Sequence, residues 1–155
     1  MILRRVAPPG QIKIEPMEGT VADRVSPRAR SENMRRIRSK DTKPELRVRQ
    51  IVHGLGYRYR LHVGALPGCP DLVFRKRKKI IFVHGCFWHQ HRGCPDAHIP
   101  KSRTSYWLPK LERNVRRDRK NIQLLKRDGW VVLTIWACET EDERGIGRRL
   151  REFLS

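Results

Sequence analysis

The sequence predicts an α/β domain, with helices interleaved among short apolar strands. Two observations carry this. Ile80–Val83 and Trp130–Trp136 are apolar runs of strand length, which read as buried strands. Between them, within Ser102–Asp128, apolar residues recur at helical spacing. A chain of 155 residues suits one domain with its own core.

Taken in order, Met1–Pro27 carries prolines at 8, 9, 16 and 27 and little periodicity, which predicts a flexible arm ahead of a folded domain over 28–155. Ser31–Lys40 (SENMRRIRSK) is short and basic. It fits a helix that orders on DNA, with Met34 and Arg35 as contacts, and equally a solvated charge run. Asp41 or Thr42 is placed to cap the next helix, with Pro44 and Glu45 in its first turn and Gly54 or Gly56 at its end. Glu45 there is a dipole-compatible capping residue or a catalytic acid. Tyr57–His62 alternates as a strand does.

Leu66–Asp71 (LPGCPD) is a turn-rich entry to a second strand, Leu72–Phe74, and Arg75–Lys79 connects it to the returning strand Lys79–His84. Such a hairpin brings Asp71 close to Val83 and His84. Further on, Trp107, Leu108, Leu111, Val115, Ile122 and Leu125 share one helical face. The opposite face offers Lys110, Arg113, Arg116, Arg117 and Lys120 to phosphates. Pro109 fits only the first turn of that helix. Gly129 ends it, and Ile146–Leu154 reads as a closing helix.

The chemistry concentrates in Val83–Cys94 (VHGCFWHQHRGC). Cys86, His91 and Cys94 form C-x4-H-x2-C, a soft and borderline ligand set that suits tetrahedral Zn²⁺. Cys138, directly after the last strand, is the natural fourth ligand. His84 and His89 remain free to handle protons, or stay idle beside a purely structural zinc. Asp71 is either an ordinary turn residue or a hard oxygen ligand for Mg²⁺, with a nearby histidine to deprotonate water. Phe87 and Trp88 lie between a metal ligand and a candidate base. In an extended loop at least one of these rings is expected to be exposed; as ordinary core, both would cover the sheet end.

Lys and Arg number 35 against 16 Asp and Glu, giving a net charge of +19 and pI ≈ 11.0. That excess calls for a polyanionic partner, most often nucleic acid. No apolar run approaches the ~20 residues of a spanning helix, and no signal peptide is evident. A cytosolic protein is expected, in which four cysteines are metal ligands or free thiols rather than disulfides.

Five segments in order, SENMRRIRSKDTKPE, LPGCPDLVF, IIFVHGCFWHQHRGC, KSRTSYWLPKLERNVRRDR and GWVVLTIWAC, resemble the very short patch repair (Vsr) mismatch endonuclease family. The resemblance covers roughly Arg30 to Cys138. It implies a fold related to type II restriction endonucleases: a central mixed sheet flanked by helices, with a structural zinc site. It implies a monomeric, Mg²⁺-dependent bacterial enzyme of the cytoplasm and nucleoid. Its substrate would be double-stranded DNA, nicked 5′ of the thymine in a T·G mismatch left by deamination of 5-methylcytosine. Mismatch-repair proteins are further candidate partners.

By position, the resemblance makes Asp71 the Mg²⁺ ligand, helped by the backbone carbonyl of Val83. It makes His84 and His89 catalytic, His89 as the base, with Glu45 the acid that orients water. Cys86, His91, Cys94 and Cys138 match the zinc set. Phe87, Trp88 and Trp107 match aromatics that wedge into the duplex, and Lys110 and Asn114 match residues beside the base pair being read. Cys69, where many relatives carry arginine, and Arg116 and Ala137, where acidic residues are common, depart from the pattern. Two alternatives stand beside this reading: a sequence-specific or defence nuclease without mismatch preference, and a catalytically silent zinc-stabilised DNA-binding module.

Overall fold

The computed structural model describes Ser26, Arg28 and residues 40–155. The expected arm (apart from Ser26) and the Ser31–Lys40 segment (apart from Lys40), with Met34 and Arg35, lie outside the described residues.

Helix α1 spans Lys43–Gly54, with Thr42 as N-cap and Pro44 in its first turn. Strands β1 (Arg60–Leu61), β2 (Leu72–Phe74) and β3 (Lys79–His84) follow. Next come the one-turn helix α2 (Cys86–His89), the long helix α3 (Thr104–Arg127), strand β4 (Val131–Trp136) and the closing helix α4 (Glu143–Leu154). The sheet order is β1-β2-β3-β4, antiparallel except for the parallel β3–β4 pair. It is thus the mixed, helix-flanked sheet expected. Among the described residues, no helix is long and apolar enough to cross a membrane.

Strand β3 explains its own sequence. A strand covered on both faces must be apolar throughout, and every residue from Ile80 to His84 is buried. Ile81 and Val83 face α1 and α4, packing with Val48, Val52, Ile146, Leu150 and Leu154. Ile80 and Phe82 face the other way, onto Leu125 and Ile122 of α3. Burying each of the larger side chains fully, such as Ile80, Ile81 and Leu125, stabilises the fold by about 1.5–3 kcal/mol.

Three local expectations are corrected. The Tyr57–His62 alternation is real, and Tyr57 and Tyr59 pack edge-on against Phe74. Yet only Arg60–Leu61 pair, because β2 offers three residues and His62 turns away with φ +44. Pro109 lies inside α3, beyond its first turn, so the Ser105 carbonyl has no N–H from that position. The Phe87–Trp88 stretch is a helical turn, not an extended loop, closed by Gln90 at φ +52.

Candidate active site and metal centre

The β2–β3 hairpin places the start of one strand beside the end of the other. As a result the Val83 N–H donates to Asp71 Oδ2 at 2.7 Å. Asp71 lies at the rim of a cleft of about 910 Å³ that is also lined by Glu45, His62, His84, Trp88, His89, Asn114 and Asp118. Burial, opposed by the Val83 hydrogen bond and reinforced by the charge of Glu45, raises the Asp71 carboxyl to about 6. A half-buried carboxylate held by one short backbone donor has oxygen lone pairs left for a hard cation. The Val83 carbonyl leaves β3 on the same edge as its N–H, toward Asp71. This donor set fits Mg²⁺.

His84 ends β3 and points toward α3, like Phe82. Its ring stacks on His89 with centroids 3.9 Å apart and planes 10° apart. Burial first, then the neighbouring His89, lowers the His84 pKa to about 4. A neutral ring is therefore stacked under His89.

His89, the last residue of α2, has Nδ1 2.5 Å from Asp118 Oδ2. Burial alone would raise the Asp118 carboxyl, but the hydrogen bond and charge of His89 hold it below the usual carboxylate range. An ionised carboxylate only accepts, so the proton sits on His89 Nδ1. Nε2 is then the free lone pair, which is the arrangement a general base needs. Asp118 was absent from the sequence expectations. The signal for it was register: Lys110, Asn114 and Asp118 recur every fourth residue on one face of α3. Asn114 and Asp118 line the cleft, while Lys110 lies over the rings of Tyr106, Trp88 and Trp107 rather than on the outer basic face. Arg113, Arg116, Arg117 and Lys120 are exposed as expected.

Glu45 is buried in the first turn of α1. It accepts from the Asp41 N–H (2.9 Å), the Thr42 hydroxyl (2.8 Å) and Arg49 Nη2 (3.2 Å). This is a capping and ion-pair role, on a residue that also faces the cleft.

The aromatic residues form one cluster. Phe87 lies 5.0 Å from Trp88 and 5.4 Å from Trp107, ring to ring, and all three rings are half-buried. The expectation of one exposed ring and the core alternative both give way to a partly covered platform. Lys110 Nζ lies within 5.1–5.5 Å of the rings of Tyr106, Trp88 and Trp107. Tyr106, which no sequence pattern marks, is a further exposed member. Asn114 Nδ2 donates to the Trp88 carbonyl at 3.3 Å, tying α3 to α2.

On the other side of α2, ligand atoms of Cys86, His91, Cys94 and Cys138 lie within 4.8 Å of one another. His91 Nδ1 is 3.7 Å from Cys86 Sγ and 3.3 Å from Cys138 Sγ. A tetrahedral zinc with typical Zn–S and Zn–N bonds gives an edge of about 3.6 Å, so the spacing fits. Burial, then the thiols of Cys86 and Cys94, push the Cys138 thiol up to about 12. Three thiolates this close would need a cation between them, so the donor set fits a metal ion in its chemistry as well as its spacing. Trp136 of β4 stacks on His91 at 4.2 Å and fixes its ring. No disulfide forms among the four cysteines, and Cys69 stands apart from the cluster.

Comparison with known proteins gives the family of the chain. Residues 22–96 match the family described as DNA mismatch endonuclease Vsr. The chain is 48% identical over 134 residues to "Type II nicking enzyme V.XorIIP" of Xanthomonas oryzae pv. oryzae, covering 86% of this chain and 98% of that relative. It is 42% identical to "Type II nicking enzyme V.NmeAIP" of Neisseria meningitidis, over 81% of this chain and 89% of the relative. It is 40% identical to "DNA mismatch endonuclease Vsr" of Escherichia coli, over 81% of this chain and 83% of the relative.

Proposed function

The chain belongs to the Vsr DNA mismatch endonuclease family and is a DNA endonuclease; within that class, we propose that it nicks one strand 5′ of the thymine in a T·G mismatch. The mismatches are those left when 5-methylcytosine deaminates within a cytosine-methyltransferase target. The observation that carries the hydrolytic part of this reading is the His89–Asp118 pair lining the same cleft as Asp71.

In this reading Asp71 and the Val83 carbonyl hold Mg²⁺, which when bound stabilises the charge developing on the scissile phosphate. His89 Nε2 takes a proton from the attacking water, and Asp118 stabilises the imidazolium that results. Neutral His84 supports the His89 ring from below. Glu45 orients the water through its place at the cleft wall. Cys86, His91, Cys94 and Cys138 hold Zn²⁺, which pins α2 to the end of β4 and takes no part in the reaction. Phe87, Trp88 and Trp107 wedge beside the mismatch, while Lys110 and Asn114 read the neighbouring pair. Residues 28–155 form the endonuclease domain and 1–27 an arm, with Met34 and Arg35 as DNA contacts. The enzyme works as a monomer in the cytoplasm, on nucleoid DNA, and leaves its nick to mismatch-repair proteins.

Single-turnover nicking of a T·G duplex tests the catalytic part. His89→Ala is expected to slow it by about 10²–10⁴-fold, the usual worth of a general base, with zinc content and DNA binding retained. Wild-type rates in His89→Ala would reject the role. A second reading has a specific observation behind it. Two of the relatives above are named type II nicking enzymes, which favours nicking at a defined sequence with weaker dependence on the mismatch.

A further inference from the structure

His62 plays no part in the assignments above, yet it stands between α1 and Asp71. It follows β1 in the left-handed region, φ +44, and its ring is largely buried at the cleft wall. Its Nε2 lies 2.9 Å from Arg49 Nη2, and its Nδ1 lies 3.8 Å from Asp71 Oδ1.

The tautomer follows from this geometry. A guanidinium nitrogen only donates, so Nε2 must accept. With Nε2 accepting, the N–H of the ring is on Nδ1, the nitrogen that faces Asp71. Arg49 is buried and cannot swing away: Nη1 bonds Asp41 Oδ1 at 2.6 Å and Nη2 bonds Glu45 Oε2 at 3.2 Å. Asp41, Glu45 and His62 group like metal ligands. Arg49 already supplies the positive charge to all three, so the group is an anchored relay and not a cation site. It runs from the start of α1 through Arg49 and His62 to Asp71.

At 3.8 Å the His62–Asp71 contact is longer than a direct hydrogen bond. It acts by the N–H dipole, or by one intervening water. Asp71 Oδ2 is fixed by the Val83 N–H. His62 acts on the other oxygen, so between them they set the carboxylate plane.

We propose that His62 is a positioning residue for Asp71, its tautomer imposed by Arg49 and its Nδ1–H orienting the carboxylate toward the cation. This rests on the reading of Asp71 as the cation ligand, and the two are tested separately. Outer partners of a metal ligand typically carry 10–100-fold in metal affinity.

The first test needs no catalytic cation. Long-range ¹H–¹⁵N NMR of the zinc-loaded protein without added Mg²⁺ is expected to show His62 protonated at Nδ1. Arg49→Met is expected to return it to the Nε2–H form. An Nε2–H ring in the wild-type protein would overturn the proposal. The second test titrates nicking with Mg²⁺. His62→Leu is expected to raise the Mg²⁺ concentration at half-maximal rate by about tenfold or more, with a smaller effect on the rate at saturation. His62→Asn, whose amide nitrogen approximates Nδ1, is expected to restore most of that affinity. An unchanged Mg²⁺ requirement in His62→Leu, or equal losses in the two variants, would also overturn it. Asp71→Asn serves as the control: if it nicks with an unaltered Mg²⁺ requirement, the reading of Asp71 fails, while the NMR result still reports on the relay.

Discussion

Half-buried Asp71 and buried His84 line the same cleft, and burial drives their pKa values in opposite directions. Asp71 rises from 3.8 to about 6, so between those values the folded state binds a proton that the unfolded state has released. Its contribution to stability therefore falls as pH rises across that window. His84 falls from 6.5 to about 4, so the unfolded state binds the extra proton, and its contribution grows as pH rises. Each shift corresponds to roughly 3 kcal/mol, and between about pH 4 and 6 the two nearly cancel. Without Mg²⁺, Asp71→Asn is expected to make stability climb more steeply with pH over that range than in the wild type, and His84→Asn to make it fall. Denaturant titrations at several pH values check this; identical slopes in all three proteins would contradict it. Asp118→Asn is expected to slow nicking by about 10²–10⁴-fold, because an amide can donate to Nδ1 and leave the proton on Nε2. Melting should change little. Asp118 had only its register on α3 to mark it, and His62 was not legible in the sequence. An acid inside a basic helix reads as solvated, and a histidine at a strand end reads as the end of a strand. Their partners, His89 and Asp71, come from elsewhere in the chain.

The cysteine–histidine cluster joins two elements far apart in sequence, the turn around α2 and the short 3-10 segment after β4. Cys138→Ser is expected to lose the metal and to melt at a lower temperature together, whereas Cys69→Ser keeps the metal. Elemental analysis with thermal melting decides both. The cluster and the hairpin were readable because each depends on local spacing: C-x4-H-x2-C, and two apolar strands about a tight basic turn. The aromatic platform was readable only through the family resemblance, because α3 and α2 meet only in the fold. Phe87→Ala/Trp88→Ala is expected to reduce the preference for T·G over T·A by about tenfold or more, since unstacking a base step costs a few kcal/mol that a weaker pair lowers. Unaltered preference with a large fall in melting temperature would make these rings core.

At the scale of the molecule, the net charge of +19 describes affinity and not specificity. Binding to any duplex is expected to weaken by about 10³–10⁵-fold between 50 and 200 mM salt if 6–10 phosphates are contacted. A flat salt response would contradict the phosphate role given to the outer face of α3. Deleting residues 1–27 should leave nicking intact, and deleting 1–40 should slow it; equal rates would reduce the Ser31–Lys40 segment to a solvated charge run. The fold class was legible as a whole, because continuous apolar strands and one long amphipathic helix leave few other arrangements. The reaction's target was not, because relatives of similar identity carry the names DNA mismatch endonuclease and type II nicking enzyme alike. The most direct measurement is therefore strand-resolved nicking of matched duplexes carrying T·G, T·A or C·G at the same position within cytosine-methyltransferase sites, with Mg²⁺ present. A nick 5′ of the mismatched thymine is expected, with little cleavage of either paired duplex. Equal nicking of T·G and T·A would contradict it and leave a sequence-directed nicking enzyme.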